Sequence, residues 1–108
     1  KVLFSSFSAK DLKTIRKISP QANLSLLHGQ NPFLFIAFYR SLNLSAAGFH
    51  RLYINPLALE IAKRAGLFTY AYTVNRPHTA YLLLRQGLDG VVTDRPDRIL
   101  DEIRRNED

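Results

Sequence analysis

The 108-residue chain has no cysteine and no methionine. Without cysteine it can build neither a disulfide framework nor a thiolate metal site, and the redox character of its compartment is left open. Methionine is missing even at position 1, where Lys1-Val2-Leu3-Phe4 reads as the start of a buried strand. The expectation is therefore a fragment or a processed piece. The longest apolar run, Pro32 to Tyr39, falls far short of the roughly 20 residues a helix needs to cross a bilayer, so no membrane span is expected. No leader peptide is visible, and the localisation stays open. A Gly-rich phosphate loop, a nucleophile elbow and a Ser/His/Asp set are all lacking. No two His, Asp or Glu residues fall at strand ends with ligand-like spacing. The residues alone present no complete active site and no metal-ligand set.

What is present is ordinary globular material. Hydrophobic residues make up 46% and charged residues 22%, and the length suits one small domain over residues 1–108. Fifteen Lys and Arg against nine Asp and Glu give a formal charge of +6, which raises the question of nucleic acid. The basic residues are dispersed, however: Lys10, Lys13, Arg16 and Lys17 on one segment, Lys63-Arg64 on another, Arg104-Arg105 at the tail. No aromatic-basic interleaving accompanies them, so solvated helix faces are the reading and no nucleic-acid partner is expected.

Two apolar strands end in the same punctuation, Asn75-Arg76-Pro77 and Asp94-Arg95-Pro96, 19 residues apart. The rest of the chain has the same rhythm. Residues 2–7 form a strand, and Ser8 with Asp11 three residues on starts a helix with Leu12, Ile15 and Ile18 as its stripe. Residues 24–28 form a second strand, and Asn31-Pro32 opens a second helix. Ala46 to Phe49 is a short third strand. Asn55-Pro56 repeats the helix start, and Gly66 suits the position after the helix end. Residues 67–74 are the most β-prone stretch, Asn75 caps the next helix, residues 89–93 form the fifth strand, and Asp94 caps the last helix. Strands recurring every 22 or so residues, alternating with helices, predict right-handed βαβ units and a parallel sheet. Two α/β architectures fit: an open five-stranded doubly wound sheet, or five consecutive βα units of a TIM (βα)8 barrel.

In either, loops at the C-terminal strand ends carry function. That singles out Ser6, Phe7, His28, Asn55, Tyr72, Asn75, Thr93 and Asp94. Ser8, Asn55, Asn75 and Asp94 are also helix caps by type. His28 is the candidate acid or base, though without a partner carboxylate it reads as a polar rim residue. His78 belongs in an exposed helix turn and His50 in a loop. Arg76 and Arg95 beside two helix starts would suit a phosphate, while solvent is the simpler destination. The other carboxylates, among them Glu60, Asp97, Asp101 and Glu102, belong to helix surfaces.

The order Ser5-Ser6-Phe7, Leu27 before a loop, Tyr72-Thr73-Val74-Asn75, then Asp89-Gly90-Val91-Val92-Thr93-Asp94-Arg95-Pro96 resembles the C-terminal part of the glycerophosphodiester phosphodiesterase family. That family ends in a Ser-Phe strand, a Trp-Thr-Val-Asn strand and an Asp-Gly-Ile-Ile-Thr-Asp-x-Pro strand. The resemblance implies the C-terminal portion of a (βα)8 barrel. It also implies hydrolysis of glycerophosphodiesters, in lipid metabolism, to glycerol 3-phosphate and an alcohol. A divalent cation, Ca²⁺ or Mg²⁺, and two histidines would serve that chemistry. The family's His-Arg-Gly, Glu-Asn-Thr, Asp-Gly…His-Asp and Glu-x-Lys patterns do not occur here, so no catalytic or metal role carries over. Pocket wall does: Phe7 matches the Ser-Phe aromatic, Tyr72 stands where the family's Trp lines the pocket, and Asn75 and Asp94 match positions that order the adjacent loops. The implied partners are the substrate, through the full-length domain, and a missing N-terminal barrel half or another chain covering the strand edges. The other reading is a non-enzymatic half-barrel that binds a ligand or a partner.

Overall fold

Helix starts in this chain follow directly from its capping chemistry. In the computed structural model, which describes residues 3–107, Ser8 accepts the Asp11 N–H (3.3 Å) and opens α1 (Ala9–Ile18). Asn55 Oδ1 accepts the N–H groups of Leu57 (2.9 Å) and Ala58 (3.3 Å) and opens α2 (Pro56–Arg64), with Pro56 in the first turn where a missing N–H costs nothing. Gly66 follows the helix end with φ +80°, a conformation that suits glycine. The remaining helices are α3 (Pro77–Arg85) and α4 (Pro96–Glu107).

Between them run β1 (Leu3–Ser6), β2 (Asn23–Leu27), β3 (Ala46–His50), β4 (Phe68–Tyr72) and β5 (Gly90–Val91). The expected first strand included Val2, which lies outside the described residues. The fifth is shorter than the expected 89–93, although backbone bonds Asp89 N to Thr69 O and Val92 N to Ala71 O (both 2.8 Å) extend its contact with β4.

All four strand pairs are parallel, and the sheet order is β1-β2-β3-β4-β5. That order separates the two architectures. Each crossover steps one strand in the same direction, and right-handed connections then place every helix on one face. A doubly wound sheet reverses direction at a switch point and carries helices on both faces. This chain is a partial (βα) barrel.

Alternation along the strands divides the residues accordingly. Leu24, Leu26, Ala47, Phe49 and Ala71 face the helices and pack with Leu12, Phe35, Ala58, Ala62, Ala80 and Ile99 into the core. The other face presents Leu3, Ser5, Ser25, Gly48, Tyr70 and Tyr72, in the register set by the strand pairs. Tyr70 leans from β4 across Gly48 and reaches the Ser25 hydroxyl on β2 at 2.6 Å. Gly48 permits this crossing, since a Cβ there would lie 2.7 Å from the Tyr70 ring and 2.6 Å from Leu27 Cδ2.

The helix expected after Asn31-Pro32 does not form. Asn31 Oδ1 accepts the Phe33 N–H (3.0 Å), but the turn tightens into a 3₁₀ segment, Leu34–Ala37. Phe33, Phe35, Ile36, Phe38 and Tyr39 are poor helix formers. The Phe35 N–H is given to the His28 ring instead of to a helical ladder (3.0 Å).

Candidate functional site

The C-terminal strand ends bring together residues from four of the five strands. Phe7, just beyond β1, meets the ring of Tyr72 edge to face, with centroids 6.0 Å apart. Tyr72, the last residue of β4, accepts the Gly29 N–H in its hydroxyl (3.0 Å), which ties the loop after β2 to β4. His50, the last residue of β3, packs its ring against both Tyr72 (5.7 Å) and Tyr53 (5.1 Å). The result is an aromatic wall along the mouth of the partial barrel. Phe7 is 61% exposed, so its ring is open to whatever occupies that mouth.

The two echoed motifs lock to each other. Asn75 Oδ1 accepts the Asp94 N–H (2.8 Å) and the Thr93 hydroxyl (3.0 Å), while Asn75 Nδ2 donates to Asp94 Oδ2 (3.2 Å). Thr93 in turn accepts the Arg95 N–H (3.0 Å). Neither residue caps a helix as expected. Arg76 occupies the cap position of α3 without a side-chain bond, and Arg95 precedes Pro96. The reason is one residue of spacing. In Asn55-Pro56 the cap residue abuts the proline, whereas in Asn75-Arg76-Pro77 and Asp94-Arg95-Pro96 an arginine intervenes. That offset frees both polar side chains to join the loops after β4 and β5.

Beside this pair opens a groove of about 750 Å³, lined by Arg51, Leu52, Thr73, Asn75, Arg76 and Asp94 among others. Arg95 lies 3.8 Å from Asp97. Ser6 and Asn55 serve local turns, Ser6 accepting the Ser8 N–H (3.0 Å).

His28 is not a rim residue. It is 4% exposed, with Nδ1 2.9 Å from the Gly48 carbonyl and Nε2 accepting from Phe35 N–H, and it stacks on Phe49 at 4.8 Å. Those bonds place the ring proton on Nδ1. Burial pushes its pKa below the ordinary 6.5, against the opposing pull of the Gly48 carbonyl. His28 therefore organises the core and faces no ligand. His78 is exposed as expected, 3.8 Å from Glu102. His50, expected in a loop, is instead the last residue of β3. The alternation Ala46, Gly48, His50 was the available signal that it faces the mouth.

Among the described residues, no group of three or more His, Cys, Asp or Glu stands close enough to hold a metal ion. Among the same residues, no helix is long and apolar enough to cross a membrane.

Fold and mouth together define a part of a (βα)8 barrel with an aromatic wall and two interlocked loops. Residues 1–98 match the Glycerophosphoryl diester phosphodiesterase family, and the chain belongs to that family. It is 27% identical over 107 residues to a glycerophosphodiester phosphodiesterase of Caldanaerobacter subterraneus subsp. tengcongensis, a match covering 97% of this chain and 43% of that protein. Among solved structures, a phosphodiesterase of Oleispira antarctica in complex with the product sn-glycerol-3-phosphate superposes with a TM-score of 0.86 at 26% identity, covering 94% of this chain and 41% of that one. A glycerophosphodiester phosphodiesterase of Parabacteroides distasonis shares the fold, with a TM-score of 0.79 at 20% identity over 96% of this chain and 43% of its own. The chain thus spans about two fifths of the length of the relatives it matches. The family's chemistry is in general metal-dependent, and the described residues of this chain do not assemble the ligands for it.

Proposed function

We propose that this chain, residues 1–108, supplies the last five βα units of a glycerophosphodiester phosphodiesterase barrel. In that reading the whole protein hydrolyses glycerophosphodiesters to glycerol 3-phosphate and an alcohol. Phe7 and Tyr72 form pocket wall, and Asn75 and Asp94 hold the loops that border it. The observation that carries this reading is the mouth itself: matching motifs from separate strands meet in space, Phe7 against Tyr72 and Asn75 against Asp94. The acid, the base and the ligands for Ca²⁺ or Mg²⁺ come from barrel units outside this chain. Asp94, at the mouth, is engaged by Asn75 and, among the described residues, belongs to no group of three or more His, Cys, Asp or Glu that could hold a metal. No step of the chemistry is therefore assigned to these residues. The remaining barrel units are also the partner that covers the helix-free face and the free edges of β1 and β5.

The test is a glycerol 3-phosphate release assay with Ca²⁺ or Mg²⁺ on the protein at its native length and on the isolated 108 residues. Hydrolysis by the former, lost on chelation, and none by the latter is the expected result. Metal-dependent turnover by the isolated chain would overturn the division of labour, and an inactive native-length protein would overturn the activity.

A further inference from the structure

The polarity of two groups at the mouth is fixed by what already binds them. Tyr72 Oη accepts the Gly29 N–H, so its own proton must be donated elsewhere, and the hydroxyl has no other partner among the described residues. His50 Nδ1 accepts the Leu52 N–H (3.1 Å), so the neutral ring carries its proton on Nε2, which is also without a partner there. The residues are register partners on adjacent strands, and their rings meet edge to face at 86°. Each ring is held in place, Tyr72 by Phe7 and Gly29, His50 by Tyr53 and Leu52.

We propose that Tyr72 and His50 form a paired neutral donor that binds acceptor oxygens on an uncharged polyol head group of the substrate. The inference rests on the phosphodiesterase reading above and deepens it. Two preset donors reward a ligand that brings oxygen acceptors and penalise one that leaves them unpaired. A quaternary ammonium head group brings no acceptor. Its charge also meets a chain of net charge +6. Rings packed edge to face make a wall, not the open box of aromatic faces that such a cation prefers.

The test uses the protein at native length with two substrates, the glycerol 3-phosphate diesters of glycerol and of choline. Tyr72→Phe keeps the ring and removes the hydroxyl, and His50→Phe keeps an aromatic and removes Nε2–H. Each is expected to raise KM for the glycerol diester by about 2- to 10-fold, the worth of one hydrogen bond. KM for the choline diester stays within about twofold, and kcat changes little for either. Equal shifts on both substrates would mean that the donors serve the shared phosphate or only the structure, and would overturn the proposal. Unchanged kinetics would overturn it too. If the wild-type protein hydrolyses neither substrate, the activity reading fails, and calorimetry with the glycerol diester decides the donor pair separately. Binding of the glycerol diester weakened by Tyr72→Phe with that of the choline diester unchanged upholds it; equal weakening of both, or absence of binding, ends it.

Discussion

Buried histidine is a costly choice unless both ring nitrogens are satisfied, and His28 shows how the cost is met. Gly48 O accepts from Nδ1, Phe35 N–H donates to Nε2, and Phe49 covers one face. Only the neutral ring fits this arrangement, because a proton on Nε2 would oppose the Phe35 N–H. The folded-state pKa lies below 6.5 while the unfolded chain titrates near 6.5. The stabilisation is thus complete above pH 6.5 and is lost progressively as pH falls from 6.5 toward the lowered folded value, since the unfolded state takes up a proton that the native state refuses. Urea midpoints followed from pH 7.5 to 5 should fall for the wild type. His28→Gln retains a polar group without a titration and should show a flatter dependence over that window. Parallel curves for the two proteins would show that His28 does not contribute the slope.

At the scale of elements, the interlocking of the loops after β4 and β5 rests on Asn75. Asn75→Ala removes the acceptor for the Asp94 N–H and the Thr93 hydroxyl and the donor to Asp94 Oδ2. These groups are exposed enough for water to replace much of the loss, so the global cost should be modest, about 1 kcal/mol. The local effect should be larger. Amide exchange at Asp94 is expected to accelerate by about tenfold or more while β2 and β3 amides keep their protection. Unchanged exchange at Asp94 would show that the loop is held by other means.

The same elements show what a linear reading can and cannot reach. Strand positions follow from local composition and period, and β3 was legible even through its small residues Ala46, Ala47 and Gly48. Asn55 was legible as a cap because it abuts its proline. Asn75 and Asp94 misled because cap types one residue further from a proline lose that geometry. The partners they gain instead come from another loop. His28 was misplaced for a related reason. Its acceptor for Nδ1 and its donor to Nε2 come from β3 and the 3₁₀ turn, and no local pattern announces them. The Gly29–Tyr72 and His50–Leu52 bonds that set the mouth's polarity are likewise visible only in three dimensions.

At the scale of the whole molecule, the chain is less closed than its size permits. Its accessible surface is 6939 Å², against about 6,100 Å² for a compact monomer of this mass. Its radius of gyration is 14.3 Å, against about 13 Å for a domain of this length. Part of the exposed apolar surface lies on the sheet. Leu3, Phe68 and Val92 are 43%, 51% and 47% exposed on the helix-free side, and β1 and β5 each pair on one side only. Between them the centre of that face is closed by Tyr70, 6% exposed, which lies over Gly48 and Ser25. What stays open is its apolar rim beside two parallel strand edges, and such a rim is a template for association. A second copy would bring ten strands to a barrel whose curvature suits eight, so pairing between copies should continue and not close. Expressed alone, the 108 residues are expected to bind a hydrophobic dye such as ANS and to grow in mass with concentration in sedimentation experiments. Phe68→Ser with Val92→Thr should reduce the dye signal, since both side chains lie on that face and outside the core. Supplying the other barrel units of the native-length protein in trans should suppress dye binding and association together. A monodisperse monomer that leaves the dye dark would show that the isolated chain closes its own face, and the exposed rim of the helix-free side would then lose its role as a docking surface for the rest of the barrel.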